Sequence, residues 1–99
     1  MKIEVYQSGG FAGEQVKLKE LDTDNMGASE QENIQKLITQ AQFFKLNQQE
    51  VFNRSIGSDL LLYEITISDK TDSRSLQFVK SDKTTSLNDL MDYLLSLNY

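Results

Sequence analysis

Cysteine and histidine are both absent from the 99-residue sequence. Without cysteine the chain can form no disulfide and can offer no thiolate to a metal ion. Without histidine it lacks the most common catalytic base, and a zinc site would have to consist of carboxylates alone, which is unusual. We therefore expect a protein that is not an enzyme and that binds no metal and no cofactor.

Long apolar runs are also absent, since no stretch approaches the roughly 18 apolar residues that a membrane span requires. The first ten residues, MKIEVYQSGG, hold a single lysine and alternate as a strand does, so they do not resemble a signal peptide. From these two features we expect a cytoplasmic protein.

An excess of positive charge is the third missing feature. The ten Lys and Arg residues are scattered among fifteen Asp and Glu, and the net charge is -5. Nucleic-acid binders usually carry a basic patch, and anionic membranes attract basic segments, so the sequence argues against both partners. Hydrophobic residues make up 38% and charged residues 25%, which is the balance of one globular domain over residues 1–99.

Two strands around a glycine-rich segment are predicted at the start of the chain. Residues 1–8 alternate with period two, with Ile3 and Val5 on the apolar side, as in a half-buried strand. Val16 and Leu18 alternate with lysines, and Leu21 extends the region, which predicts a second strand antiparallel to the first. The connection is longer than a two-residue hairpin turn, so we expect it to project as a loop.

A helix is predicted next. Ser29 and Glu32 have the spacing of a capping box, and apolar residues follow at helical spacing to about Phe43 or Phe44. These two phenylalanines and Leu46 are expected to close the end of the core. Neighbouring residues on a helix cannot face the same way, so one of the two rings is expected to be partly exposed.

The next segment, residues 47–59, shows no clean period. We interpret it as a loop that packs a few side chains onto the core. Residues 61–68 then give the clearest alternation in the chain and predict a third strand, and a fourth strand around Leu76 and Phe78 follows a polar turn at residues 69–73.

The last predicted element is a helix. Ser86 is expected to cap it, with Asp89 in the first turn, where an acid suits the helix dipole. An apolar stripe from Leu87 to Leu95 follows, and the helix is expected to end near Asn98. The order strand, strand, helix, strand, strand, helix favours an α+β fold, an antiparallel four-stranded sheet with two helices on one face.

Two groups of acidic residues were weighed as chemical sites. Glu30 with Glu32, and Asp89 with Asp92, could perform acid–base chemistry, but their helical positions favour a structural explanation. Residues 22–27 come closest to a calcium-binding loop but lack the third acidic ligand and the glutamate at the twelfth position, so an ordinary acidic loop is favoured.

The glycine-rich segment is the unusual feature of the sequence. Its glycines do not form the G-x-G-x-x-G of a phosphate site, and the G-x-x-G match to an RNA-binding module is opposed by the acidic chain. A wide turn with glycines at positive φ explains the segment about as well as a function does. Phe11 favours function, because a ring between Gly and Ala either folds back onto the core or is offered to a partner.

The opening of the chain resembles the emfourin family of small bacterial inhibitors of thermolysin-like zinc metalloproteases such as protealysin. The resemblance rests on M-K-I-E-V followed by S-G-G-F-A-G, and more loosely on the strand Y-E-I-T-I and the polar step into the leucine-rich last helix. The family commonly has Arg before the serine of S-G-G-F-A-G. Here Gln7 stands in that place, which leaves the affinity and the range of target proteases open.

The resemblance implies an inhibitor whose partner is a thermolysin-like zinc metalloprotease. Phe11 would fill the apolar pocket beside the catalytic zinc of the protease, and the glycines would let the main chain pair with an edge strand of the enzyme. The implied contact residues are Ser8, Gly9, Gly10, Phe11, Ala12 and Gly13. We expect the free inhibitor to be a monomer.

Two alternatives to inhibition stay open at this point. The chain could be an adaptor that binds another protein through an open edge of its sheet. It could instead be an enzyme that uses only carboxylates and hydroxyls, which would require a cleft lined by acids with raised pKa values.

Overall fold

The structure, a computed structural model, describes residues 1–9, 15–49, 61–80 and 82–98. Within these residues the regular elements follow the predicted order. Their bounds are β1 Lys2–Gly9, β2 Val16–Asp22, α1 Ala28–Ala41, β3 Leu61–Ser68, β4 Ser73–Phe78 and α2 Thr85–Ser96. Short 3-10 turns at Thr23–Asn25 and Asp82–Thr84 precede the two helices. The α+β class and the order of elements are therefore confirmed.

The strands form one antiparallel sheet in the order β2-β1-β3-β4. Both predicted hairpins are present, and β1 joins them by pairing with β3 along its whole length. Ile3 lies opposite Leu21 on one side and Ile67 on the other. Because residues directly opposite each other share a face of the sheet, these side chains meet in one apolar layer.

One buried cluster unites this apolar layer with both helices, which also contact each other. Apart from Leu62, the alternate residues of β1 and β3 that point away from the cluster carry polar groups. The helices therefore cover one face of the sheet and leave the other open, as predicted. The largest fully buried side chains are Phe43, Phe78, Ile3, Ile34, Ile65, Ile67, Leu76, Leu90, Met91, Leu94 and Val5.

The pairing of β2 with β1 contains a bulge. Lys19 lies opposite Val5, but Lys17 lies opposite Tyr6, so Leu18 is an extra residue on β2. A shift of one residue in register exchanges the two faces of a strand. The bulge therefore places Lys17 beside Tyr6 on the open face, where an unbroken alternation would have turned it toward the helices.

The predicted capping box at the start of α1 is wrong. The helix is capped by the backbone at Gly27 and begins at Ala28, so Ser29 is already the second helical residue and cannot cap. Gln31 instead ties the first turn to the preceding segment, since its Nε2 donates to the carbonyl oxygens of Thr23 at 2.7 Å and Met26 at 3.0 Å.

The end of α1 also differs from the prediction. The helix stops at Ala41, and Gln42 adopts the left-handed conformation with φ 53 and ψ 40. This reversal directs Phe43 into the core, where it is fully buried, and leaves Phe44 45% exposed. Leu46 is buried, so the prediction that these residues close the core holds for Phe43 and Leu46 and is wrong for Phe44.

The predicted start of α2 is likewise wrong. The helix begins at Thr85 with Thr84 in the N-cap position, so Ser86 lies inside the helix and Asp89 lies beyond the first turn. The reason is the 3-10 turn before the helix, which brings the chain into helical geometry earlier. The buried Thr84 hydroxyl lies 3.2 Å from the carbonyl oxygen of Val79 and 3.1 Å from Oδ1 of Asn88.

The prediction of a packed loop over residues 47–59 falls mostly outside the described residues. Among the first residues of this segment, Gln48 has a defined role, because its side-chain amide bonds to both the N–H and the carbonyl oxygen of Gln77. Nε2 of Gln48 donates to the carbonyl oxygen at 2.7 Å, and the Gln77 N–H donates to Oε1 at 2.7 Å. Neither described helix is long and apolar enough to cross a membrane.

Candidate functional site

Two of the six predicted contact residues belong to β1 and not to the loop. Ser8 pairs with Leu62 and Gly9 with Leu61, so both backbones continue the β1–β3 ladder. The strand position of Ser8 agrees with the predicted first strand, whereas Gly9, which was expected in the projecting loop, still belongs to β1. Gly10, Phe11, Ala12 and Gly13 lie outside the described residues, and the prediction that they contact a partner stays a prediction.

The base of the loop continues β1, which is paired on both sides up to Gln7 and with β3 alone at Ser8 and Gly9. The β1–β2 register runs to Gln7 opposite Val16, while the β1–β3 register runs on to Gly9. A central strand cannot move without breaking the pairing with both neighbours. The fold thus presents the glycine-rich segment from the most constrained strand of the sheet.

A side-chain bridge fixes the other end of the loop. Gln15, the first described residue after it, extends across β1 and donates from Nε2 to Oε2 of Glu64 at 3.3 Å. Glu64 is held in place by Gln77, whose Nε2 donates to Oε1 at 3.0 Å. The residue where the chain returns from the loop is therefore tied to β3 and β4.

The open face beneath the loop carries a charged network. Tyr6 Oη donates to Oε2 of Glu4 at 2.6 Å, and Lys17 Nζ lies 3.2 Å from the same oxygen. The Lys17 ammonium also lies 5.8 Å from the centre of the Tyr6 ring. The hydrogen bond from Tyr6 and then the Lys17 charge lower the pKa of the Glu4 carboxyl below its ordinary value.

A second carboxylate extends this network toward the far end of the hairpin. Glu20 Oε1 lies 3.0 Å from Lys2 Nζ and 3.4 Å from Lys17 Nζ. The hydrogen bond from Lys2, followed by that from Lys17, lowers the pKa of Glu20. These contacts join β1 and β2 by ion pairs on the open face, so the hairpin that carries the loop is stabilised by charge as well as by backbone pairing.

The amino terminus lies at the opposite end of β1 from the loop. Its nitrogen is 3.8 Å from Oδ1 of Asp22 and 3.6 Å from Oδ1 of Asp24, and the Met1 carbonyl accepts from the Thr23 N–H at 2.9 Å. At about 3.3 Å per strand residue, roughly 20 Å separate Met1 from Ser8. The amino terminus and the loop therefore cannot enter the same small cleft.

Other acidic candidates have structural roles. Asp22 and Asp24, from the segment that was weighed as a calcium loop, face the amino terminus. Glu30 lies in the first turn of α1, as predicted, and Asp92 pairs with Lys80 at 3.0 Å. Among the described residues, no three acids lie close enough together to hold a metal ion.

Exposed apolar side chains cluster beside the loop. Three large ones are exposed in the described part of the chain, and two of these, Val16 at 54% and Leu18 at 37%, lie on the first residues of β2. The third, Phe44, lies by β4. Sequence reasoning missed this patch, although a signal was present, because the spacing of three between Leu18 and Leu21 breaks the strand period and indicates a bulge.

The contacts that fix the loop had no comparable signal. Glu64 and Gln15 are 49 positions apart, and only the pairing of β1 with β3 brings them together. Nothing in the alternation of either strand indicates which polar residues meet across the sheet. A long-range bridge of this kind can be identified only once the strand order is known.

The comparisons with known proteins give one match. The model of a protein family described as Emfourin matches residues 5–95 of the chain. No curated protein and no solved structure matches the chain.

Proposed function

Since the chain belongs to the emfourin family, which is known as a family of metalloprotease inhibitors, we propose that it inhibits a thermolysin-like zinc metalloprotease. The segment from Ser8 to Gly13 enters the active-site cleft of the protease. The observation that carries this proposal is the extent of the family match, which runs from residue 5 to residue 95 and so includes the whole segment.

Phe11 is the anchor in this proposal. The ring fills the apolar pocket beside the catalytic zinc, while the neighbouring glycines allow the inhibitor backbone to approach that of the protease. Aromatic side chains that are fully desolvated at the centre of an interface often supply most of its binding energy. The inhibitor has no catalytic step of its own and acts by occupying the site.

The contacts at the base of the loop support such a role. Gly9 is paired with Leu61, and Gln15 donates a hydrogen bond to Glu64, so the described residues on either side of 10–14 are attached to the sheet. Fixing a binding segment in advance lowers the entropy that is lost on association. The position of the amino terminus, at the other end of β1, leaves the loop as the part of this hairpin that inserts.

We also propose a cytoplasmic bacterial inhibitor that protects the producing cell from a protease of the protealysin type. The resemblance to the family suggests the type of protease, and the first ten residues, which do not resemble a signal peptide, suggest the compartment. A protein that neutralises an enzyme made in the same cell must bind the folded protease, which fits a binding segment carried by a stable sheet.

The test is a titration of the purified protein into a thermolysin-like protease, with residual activity measured on a peptide substrate. We expect inhibition by the wild type and a loss of about 2 kcal/mol, or about thirtyfold in affinity, for Phe11→Ala. Phe44→Ala is the matched control, because it removes an exposed ring that lies away from the loop.

Each outcome of this titration has a defined meaning. A wild-type protein that fails to inhibit any thermolysin-like protease would contradict the proposed function. Equal potency of the wild type and Phe11→Ala would instead remove Phe11 from the mechanism and leave inhibition standing. Thermal denaturation of each variant confirms that a loss of potency does not come from unfolding.

A further inference from the structure

We infer that Val16 and Leu18 form a second contact with the protease, an apolar shelf that packs on the rim of the cleft when the loop is inserted. The inference rests on the proposed function and adds to it a second part of the binding surface. It starts from the exposure of these two side chains, which are 54% and 37% accessible on the strand that leaves the loop.

The position of the shelf makes it continuous with the loop. Val16 is the first residue of β2 and lies opposite Gln7, two residues before the end of β1. At about 3.3 Å per residue, Leu18 lies roughly 10 Å from the point where the chain returns from the loop. A protein that surrounds the loop must come alongside the strand segments that carry it.

The surrounding contacts keep the shelf bare. Lys19 donates from Nζ to the carbonyl oxygen of Leu97, just beyond the end of α2, so the residues of β2 nearer the loop lie outside the buried cluster. Lys17 is turned to the open face by its contacts with Glu4 and Glu20. Both lysines that flank Leu18 are therefore engaged elsewhere and do not cover it.

The bulge limits how a partner can bind at the edge of β2. Leu18 is the extra residue in the β1–β2 pairing, and bulges interrupt the regular row of backbone groups that strand addition requires. The partner therefore meets side chains here and does not extend the sheet past Leu18. Apolar side chains beside an inserted loop gain from burial against any apolar surface that borders the cleft.

A second copy of the chain is the competing occupant, and the size of the shelf argues against it. A stable specific interface buries about 800 Å² on each partner, from some 20 to 30 residues. Two partly exposed side chains provide only a small fraction of that area. The shelf is thus too small to bind alone and is suited to extend a contact that the loop initiates.

The experiment compares Val16→Thr/Leu18→Thr with the wild type, Phe11→Ala and Phe44→Thr in the same inhibition assay. Threonine is β-branched and has a high strand propensity, and both positions are exposed, so we expect unchanged thermal stability. The double variant is expected to inhibit about tenfold more weakly, mainly through faster dissociation, since loss of packed contacts acts on the off-rate. Phe44→Thr is expected to match the wild type.

Two further measurements keep this inference separate from the proposed function. Methyl NMR of Val16 and Leu18 with the protease is expected to show shifted signals, a readout that does not depend on activity. Light scattering is expected to show a monomer. The inference would be overturned if the double variant inhibited within twofold of the wild type, or if the wild type formed a dimer that these substitutions dissociate. In either case the potency of Phe11→Ala would still test the role of the loop. Absence of inhibition by every protein would overturn both.

Discussion

The two outer strands of the sheet are joined to their neighbours by different chemistry. On the open face, β1 and β2 are connected by ion pairs, Lys2 with Glu20 and Lys17 with Glu4. On the same face, β3 and β4 are connected by neutral hydroxyl pairs, including Thr66 with Ser75 at 2.7 Å. The ion pairs respond to pH and salt and the hydroxyl pairs do not, although the Glu64 carboxylate of β3, which accepts from Gln77 of β4, adds one charged group to the second pair of strands.

The outward edges of these strands differ as well. The edge of β4 is partly covered, because the Gln48 amide pairs with the backbone of Gln77 and Arg74 Nη1 donates to the carbonyl oxygen of Phe44 at 2.9 Å. The edge of β2 carries a bulge and the exposed pair Val16 and Leu18. One half of the sheet is thus secured by side-chain contacts at its edge, while the other leaves apolar side chains exposed beside the loop, which fits the proposed contact with a protease.

The largest effect in this comparison is expected for Gln48→Ala. The substitution removes a partner from both the N–H and the carbonyl oxygen of Gln77, which is half-buried, and each lost hydrogen bond costs about 1 kcal/mol. We expect the free energy of unfolding to fall by about 1–2 kcal/mol in urea denaturation, with no change in inhibition.

Gln40→Ala is the matched control for this prediction, because Gln40 is exposed on α1 and the same atoms are removed. We expect its stability to stay within about 0.5 kcal/mol of the wild type. Similar losses in both variants, or weaker inhibition by Gln48→Ala, would show that the two edges are not specialised in this way.

The turn at Gln42, which precedes residues 43–48, allows a smaller change in stability, and this change is expected to be stabilising. Gln42 has φ 53, a left-handed conformation that glycine adopts without steric cost. Gln42→Gly is therefore expected to raise the free energy of unfolding by about 0.5–1 kcal/mol. A loss of stability would mean that contacts of the Gln42 side chain outweigh the strain of its backbone.

The smallest effect concerns the charges that join β1 and β2. Glu4 and Glu20 have lowered pKa values, so their ionised forms favour the folded state. This contribution is complete above the ordinary carboxyl pKa of 4.5 and is lost as the pH falls through the lower folded-state values. We expect the wild type to lose more stability than Glu4→Gln between pH 7 and pH 3, measured by urea denaturation in low salt. Equal losses in the two proteins would contradict a stabilising role for the Glu4 contacts.

Much of the fold could be predicted from local pattern. The alternation of Ile3 with Val5 and of Ile65 with Ile67 identified the strands, and the apolar stripe around Leu90 identified the last helix. These patterns identify the elements because burial of one face of a strand or helix requires apolar residues at a regular spacing. The pairing of β1 with β3 has no such signal, since either face pattern is compatible with several strand orders.

The helix ends were predicted less well, for a physical reason. Ser29 satisfies the capping pattern, but the backbone enters the helix at Ala28 because Gln31 supplies hydrogen bonds to the preceding turn. At the candidate site, the glycine-rich segment could be identified, while the bridge from Gln15 to Glu64 depends on strands far apart in sequence. The local sequence indicates which residues could cap a helix, and tertiary contacts determine at which of them the helix begins.

The amide of Gln48 has a consequence for growth into fibres. A sheet protein polymerises by strand addition only if both of its outer strands can accept another chain. Here a single side chain occupies the backbone of Gln77 as a neighbouring strand would, which disfavours the addition of another chain along that side. Any association through β2 alone would join two copies edge to edge and then stop, because a contact between identical edges closes on itself.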